Sequence, residues 1–103
     1  SPDETATREL LEETGLRAEL DRLTGVYFEP GHDFGPMLHF VFRCRWHDQL
    51  HPIASSPEVS DVRCWPLDKL PRPISDFTER RVQDAAIGGP VRVGRVIARR
   101  WRE

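Results

Sequence analysis

The sequence predicts an α/β chain, and three stretches carry that prediction. Residues 1–16, SPDETATRELLEETGL, read as one helix with a marked start and a marked stop. Residues 20–28 and 37–47 are strand-forming runs on either side of a loop rich in proline and glycine. A second helix is expected from Asp76, followed by an alternating run over 91–98.

In the first helix Ser1 is the expected N-cap, Pro2 sits at the first helical position and Glu4 lies three residues after the cap. Gly15 is the natural stop, because glycine takes the left-handed conformation at a helix end without steric cost. Glu9, Glu12 and Glu13 are spaced i, i+3 and i+4, which places them on one face. Stability does not account for that face. The C-terminal end of a helix carries partial negative charge, so carboxylates in its last turn are mildly unfavourable. Two explanations remain at this point: a solvated acidic face with an Arg8–Glu12 ion pair, or a site for a hard dication that takes oxygen ligands.

Leu20–Phe28 follows as a strand, strongest at Val26-Tyr27-Phe28, with Gly25 a candidate bulge. Glu29–Pro36 is dense in turn formers and forms the loop. Met37–His47 then places Leu38, Phe40, Phe42, Cys44 and Trp46 on one apolar face, with His39, Val41, Arg43 and Arg45 on the other. The two runs are expected to pair as an antiparallel hairpin. Asp48–Pro57 reads as a polar loop and Val59–Leu67 as a further strand ended by Pro66. Asp76-Phe77-Thr78-Glu79 resembles a capping box opening a helix with Phe77, Val82, Ala85 and Ala86 on one face. Gly88-Gly89-Pro90 ends it, and Val91–Ala98 is expected as the last strand.

Arg8-Glu9-Leu10-Leu11-Glu12-Glu13-Thr14-Gly15-Leu16 resembles the Nudix hydrolase signature, R-E-U-x-E-E-x-G-U with U aliphatic, at every specified position. The resemblance implies an α/β/α sandwich with a mixed sheet and diphosphate substrates. It also implies a Mg²⁺ or Mn²⁺ site held by Glu9, Glu12 and Glu13, with Arg8 keeping a carboxylate in place. A further carboxylate, from a loop remote in sequence, commonly completes such a site; Glu58 is the first candidate and Glu29 the second. The full family motif opens G-x5-E, and that glutamate falls just ahead of Ser1. The expectation is therefore one partial domain over residues 1–103 that begins inside the signature and lacks the N-terminal strands, with Glu4 a substitute partner for Arg8.

The function expected on this resemblance is metal-dependent cleavage of the diphosphate linkage of a nucleoside diphosphate derivative. The alternative is a catalytically silent Nudix-like binding domain, or an inactive fragment. Mean hydropathy of −0.56 and the lack of any long apolar run argue against a membrane span and for a cytoplasmic protein. Cys44 and Cys64 offer no disulfide framework, and the cysteines and histidines lack zinc-site spacing. Residues 1–34 hold nine acids against three arginines, and residues 72–103 hold eight arginines against four acids. Complementarity between these halves, or an arginine contact to phosphate, explains the basic tail better than nucleic-acid binding. Tyr27, Phe28 and Phe34, beside the loop, and Trp65 are read as core aromatics first and as base-stacking groups second. Arg43 and Arg45 are read as solvent-facing first and as phosphate contacts second. Phe40 and Phe42, if left uncovered, would favour a homodimer.

Overall fold

A computed structural model describes residues 1–46 and 51–103. The element order is α1 (Pro2–Thr14), β1 (Glu19–Glu29), β2 (Met37–Arg45), β3 (Ile74–Ser75), α2 (Asp76–Ile87), β4 (Arg92–Arg95) and β5 (Trp101–Arg102). A three-stranded sheet runs in the order β2-β1-β4, and a separate two-stranded sheet pairs β3 with β5. Seven residues join β1 to β2, too few for a parallel crossover, so this neighbouring pair is antiparallel. β4 lies parallel to β1, making the sheet mixed. The chain divides into two compact units, Ser1–Arg22 with Phe42–Cys64, and Leu23–Val41 with Trp65–Glu103.

In the first unit, α1 ends where expected: Gly15 takes φ 73° and its N–H bonds the Leu11 carbonyl at 2.9 Å. A helix leaves its last carbonyls without intrahelical donors. Here the segment after β2 supplies them. The Ser55 hydroxyl donates to Glu12 O at 2.7 Å, the Ser55 N–H to Glu13 O at 3.2 Å and the Ile53 N–H to Thr14 O at 2.9 Å. A Cβ on Gly15 would lie 3.2 Å from Ile53 Cγ1, so the glycine serves this docking as well as the turn. At the other end the Ser1 hydroxyl donates to the Glu4 carboxylate at 2.5 Å and makes no side-chain cap. Glu4 is thereby engaged with Ser1, and Arg8 is paired with Glu12 instead.

The second unit is built around Tyr27, Phe77 and Val96, all buried, with Val41 packed against them. Tyr27 meets Phe77 edge-on, with ring centroids 5.4 Å apart. The packed face of β2 is thus the mixed one, through His39 and Val41, whereas Leu38 and Phe40 are 56% and 42% exposed. Gly25 is not a bulge in the β1–β4 ladder: Gly25, Val26, Tyr27 and Phe28 pair one for one with Arg92, Val93, Gly94 and Arg95. Its missing side chain makes room for the Tyr27 ring, since a Cβ there would fall 2.5 Å from Tyr27 Cε2.

Three further expectations are corrected. Val59–Leu67 is not a strand; it has no ladder partner among the described residues, and β1, the centre of the sheet, already has a neighbour on each side. Trp65 is accordingly 44% exposed and not core. The α2 cap is Ser75, one residue before the expected Asp76, with its hydroxyl accepting from Thr78 N–H at 3.1 Å. Asp76 is free to do something else: its N–H donates to Arg100 O at 2.8 Å while its carboxylate accepts the Arg100 N–H at 3.0 Å. The run after Gly89 forms β4 only over Arg92–Arg95, and β5 then closes on the start of α2. The expected strand end at His47 and the loop positions Asp48, Gln49 and Leu50 lie outside the described residues.

Candidate functional site

The regular α-helix from Pro2 to Thr14 carries Glu9, Glu12 and Glu13 on one side, and all three are exposed. Arg8 Nε lies 3.9 Å from Glu12 Oε1, with both side chains more than 60% exposed, a pairing of small energetic weight. Glu9 and Glu13 form no ion pair among the described residues. As a donor set these side chains fit a hard dication: oxygen only, one helix face, and a single weakly held counter-charge. They do not converge on a point, and no cluster of three or more His, Cys, Asp or Glu able to hold a metal is formed among the described residues.

Glu58 is exposed, and its N–H bonds the Ser56 hydroxyl at 3.3 Å in a local turn. No contact ties its carboxylate to those of α1. Its loop, however, is the one whose Ile53 and Ser55 are bonded to Thr14, Glu13 and Glu12. The structure therefore joins the Glu58 loop to the acidic turn through the backbone, without bringing the four carboxylates together.

Glu29, in the second unit, has a different environment. It is 7% exposed and its two oxygens are fully used. Arg99 grips it as a fork, Nε to Oε2 at 3.0 Å and Nη2 to Oε1 at 2.7 Å, and His39 Nε2 reaches Oε1 at 2.8 Å. A carboxylate can only accept, so His39 donates from Nε2. Arg99 and Arg81 both lie over the Phe77 ring, at 5.1 and 4.3 Å from its centroid. Hydrogen bonding from Arg99, with help from His39 against the opposing effect of desolvation, holds the Glu29 carboxyl down at about 2. Glu29 is an anion that anchors two cationic partners rather than a free base.

The pH consequence follows from the sign. A carboxyl with its folded-state pKa lowered adds stability that is full above its ordinary value and is lost as pH falls through the lowered one. Between about 4.5 and about 2, stability should therefore drop more steeply in the native protein than in Glu29→Gln. Denaturant midpoints measured by circular dichroism across that window check it; parallel curves for the two proteins would count against the clamp.

The aromatics divide sharply. Tyr27 is fully buried and its hydroxyl donates to Asp84 at 2.5 Å; burial first, and Asp84 second, push its pKa up to about 12. Phe28 carries the Arg95 guanidinium at 5.6 Å. Phe34 is 91% exposed and does not belong to the core, with only the His32 ring beside it at 5.6 Å. Arg43 and Arg45 are exposed and reach Asp21 at 3.7 and 2.8 Å. The Glu29–His39–Arg99 association went unseen in the sequence. Its one available signal was an inward-facing histidine on a strand face otherwise occupied by arginines and valine.

A protein-family comparison matches the NUDIX domain over residues 1–85. The chain belongs to the Nudix family. The match takes in the whole of α1, with the motif at Arg8–Leu16, and nearly all of α2. Family membership supports a hydrolase of the Nudix type, a class that acts on nucleoside diphosphate derivatives and generally uses divalent metals such as Mg²⁺ or Mn²⁺. The small α/β architecture with a mixed sheet is compatible with the Nudix fold. No curated protein and no solved structure matches the chain. Among the described residues, no helix is long and apolar enough to cross a membrane.

Proposed function

We propose that this Nudix domain hydrolyses the diphosphate linkage of a nucleoside diphosphate joined to a second moiety. The observation that carries the reading is the acidic face of α1, set within the family motif, with Glu9, Glu12 and Glu13 exposed at the end of the helix least favourable to carboxylates. Glu9, Glu12 and Glu13 would hold Mg²⁺ or Mn²⁺. Bound there, the cation would neutralise charge on the diphosphate oxygens and lower the pKa of a bound water.

The chain's own residues have separate tasks. Arg8 holds Glu12 in orientation from the preceding turn. Gly15, with Ile53 and Ser55, fixes where the acidic turn ends. Glu58 is proposed as the further carboxylate, positioned by its loop to accept a proton from the attacking water; the hydrogen bonds between that loop and the last turn of α1 support the assignment.

Glu12→Gln is the decisive variant. Turnover of a panel of nucleotide sugars, ADP-ribose and nucleoside triphosphates should fall by roughly a hundredfold or more, the scale of losing one charge-stabilising group. Mn²⁺ titration should show weakened binding in parallel. Melting temperature should hold or rise, because the change removes an unfavourable charge from the last helical turn. Unchanged turnover and Mn²⁺ affinity would overturn the assignment.

A further inference from the structure

A cavity of about 430 Å³ opens in the second unit between the start of α2 and the chain that follows β4. That volume is within the usual range of small-ligand pockets. One wall is apolar, from Phe77, Val96 and Ile97, and the rest is dominated by the guanidinium groups of Arg80, Arg95 and Arg100.

These arginines differ in how they are held. Arg80 Nη1 donates to the Arg95 carbonyl at 3.2 Å, and its guanidinium lies 5.0 Å over the Tyr27 ring. Gly94 permits this pose, since a Cβ there would collide with Arg80 Nη2. Arg95 is braced against Phe28. Both planar groups are thus oriented by contacts made before any ligand arrives, which lowers the ordering cost of binding.

The countercharge is insufficient. Asp84 lies 4.0 Å from Arg80 Nε but is also the acceptor for Tyr27. Asp76, the acid of the lining, spends its carboxylate on the Arg100 backbone N–H, which holds its pKa below the usual carboxylate range. Arg95 and Arg100 form no ion pair among the described residues. Two fixed positive charges therefore face a ligand-sized space with no anion of the chain assigned to them.

We infer that this cavity is a binding site for a phosphate-bearing small molecule, with its phosphates against Arg95, Arg100 and Arg80 and its less polar part on the Phe77–Val96–Ile97 wall. Guanidinium groups suit phosphate because their parallel N–H donors match two oxygens at once. The ligand's source is open between the diphosphate of a substrate and a separate phosphorylated effector; both present the same chemistry to the cavity. The site does not depend on hydrolysis and stands or falls apart from the α1 reading.

The probe is inorganic pyrophosphate, titrated calorimetrically into the whole chain without divalent metal. One saturable site is expected, and Arg95→Gln with Arg100→Gln should weaken it about tenfold or more, the loss of two charge-assisted contacts. Ala98→Glu, which introduces a carboxylate at an exposed position of the lining, should do the same without loss of fold, and Arg63→Gln, outside the lining, should bind like the parent. Absence of saturable binding, or lining variants that bind as tightly as the parent, would overturn the inference. In turnover assays, competition by pyrophosphate against the nucleotide identifies the substrate's diphosphate as the occupant. A change in rate without competition identifies a separate effector. Either result supports the site.

Discussion

Phe77→Ala should destabilise the protein by about 3–5 kcal/mol, the range for emptying a buried aromatic site. Phe77 is 3% exposed at the first turn of α2, and its ring is shared by more partners than any other in the structure. Tyr27 and His39 meet it edge-on at 5.4 and 5.1 Å, and Arg81 and Arg99 stand over it. Truncation removes the apolar surface of the core and also the face against which two cations are packed. Arg81 is the partner most exposed to this loss, since burial already lowers its pKa and the ring faces part of that buried charge. Small domains are stable by only about 5–15 kcal/mol, so the variant should unfold at a much lower urea midpoint or fail to fold at working temperature. Phe77→Leu, which keeps most of the volume, should lose much less. Equal losses for the two variants would show that Phe77 is not a core residue.

Gly25→Ala is expected to cost about 1–3 kcal/mol, an overpacking penalty for a single added carbon. Alanine normally does well against glycine, because it restricts the unfolded chain. Here the space is occupied: the new methyl would sit 2.5–2.7 Å from Cε2, the hydroxyl oxygen and Cζ of Tyr27. The ring cannot swing aside cheaply, being fully buried, edge-on to Phe77 and hydrogen-bonded to Asp84. Adding Tyr27→Phe would separate steric from polar effects, because it removes the hydroxyl contact but keeps the ring. Thermal melts give the readout, and a Gly25→Ala protein as stable as the parent would refute the packing of Tyr27 over residue 25.

The parts of this protein that local chemistry specifies were legible in its sequence. Pro2, Gly15 and the i, i+3, i+4 glutamates define α1 within sixteen residues, and the aromatic and β-branched runs define β1 and β2. What was not legible depends on partners far along the chain. Val59–Leu67 has strand-forming residues but no ladder, and a strand exists only in company. The parallel pairing of β4 with β1 joins Gly25 to Arg92, and no local pattern announces it. The same holds for Arg99 on Glu29, seventy residues apart. For the candidate site, the residue types of α1 identify a family and a chemistry. The neutralised Glu29 and the arginine-lined cavity became visible only once distant side chains could be measured against one another.

The three bonds between the end of α1 and the segment after β2 have a further consequence. Residues 53–58 have no ladder or helix of their own, so by themselves they would open at almost no free-energy cost. Yet lifting Ile53 and Ser55 away would strip donors from the carbonyls of Glu12, Glu13 and Thr14 at the negative pole of the helix. The segment therefore borrows its protection from α1. Local fluctuation of the Glu58 loop and fraying of the acidic turn are one cooperative event, and whatever quiets either of them quiets both.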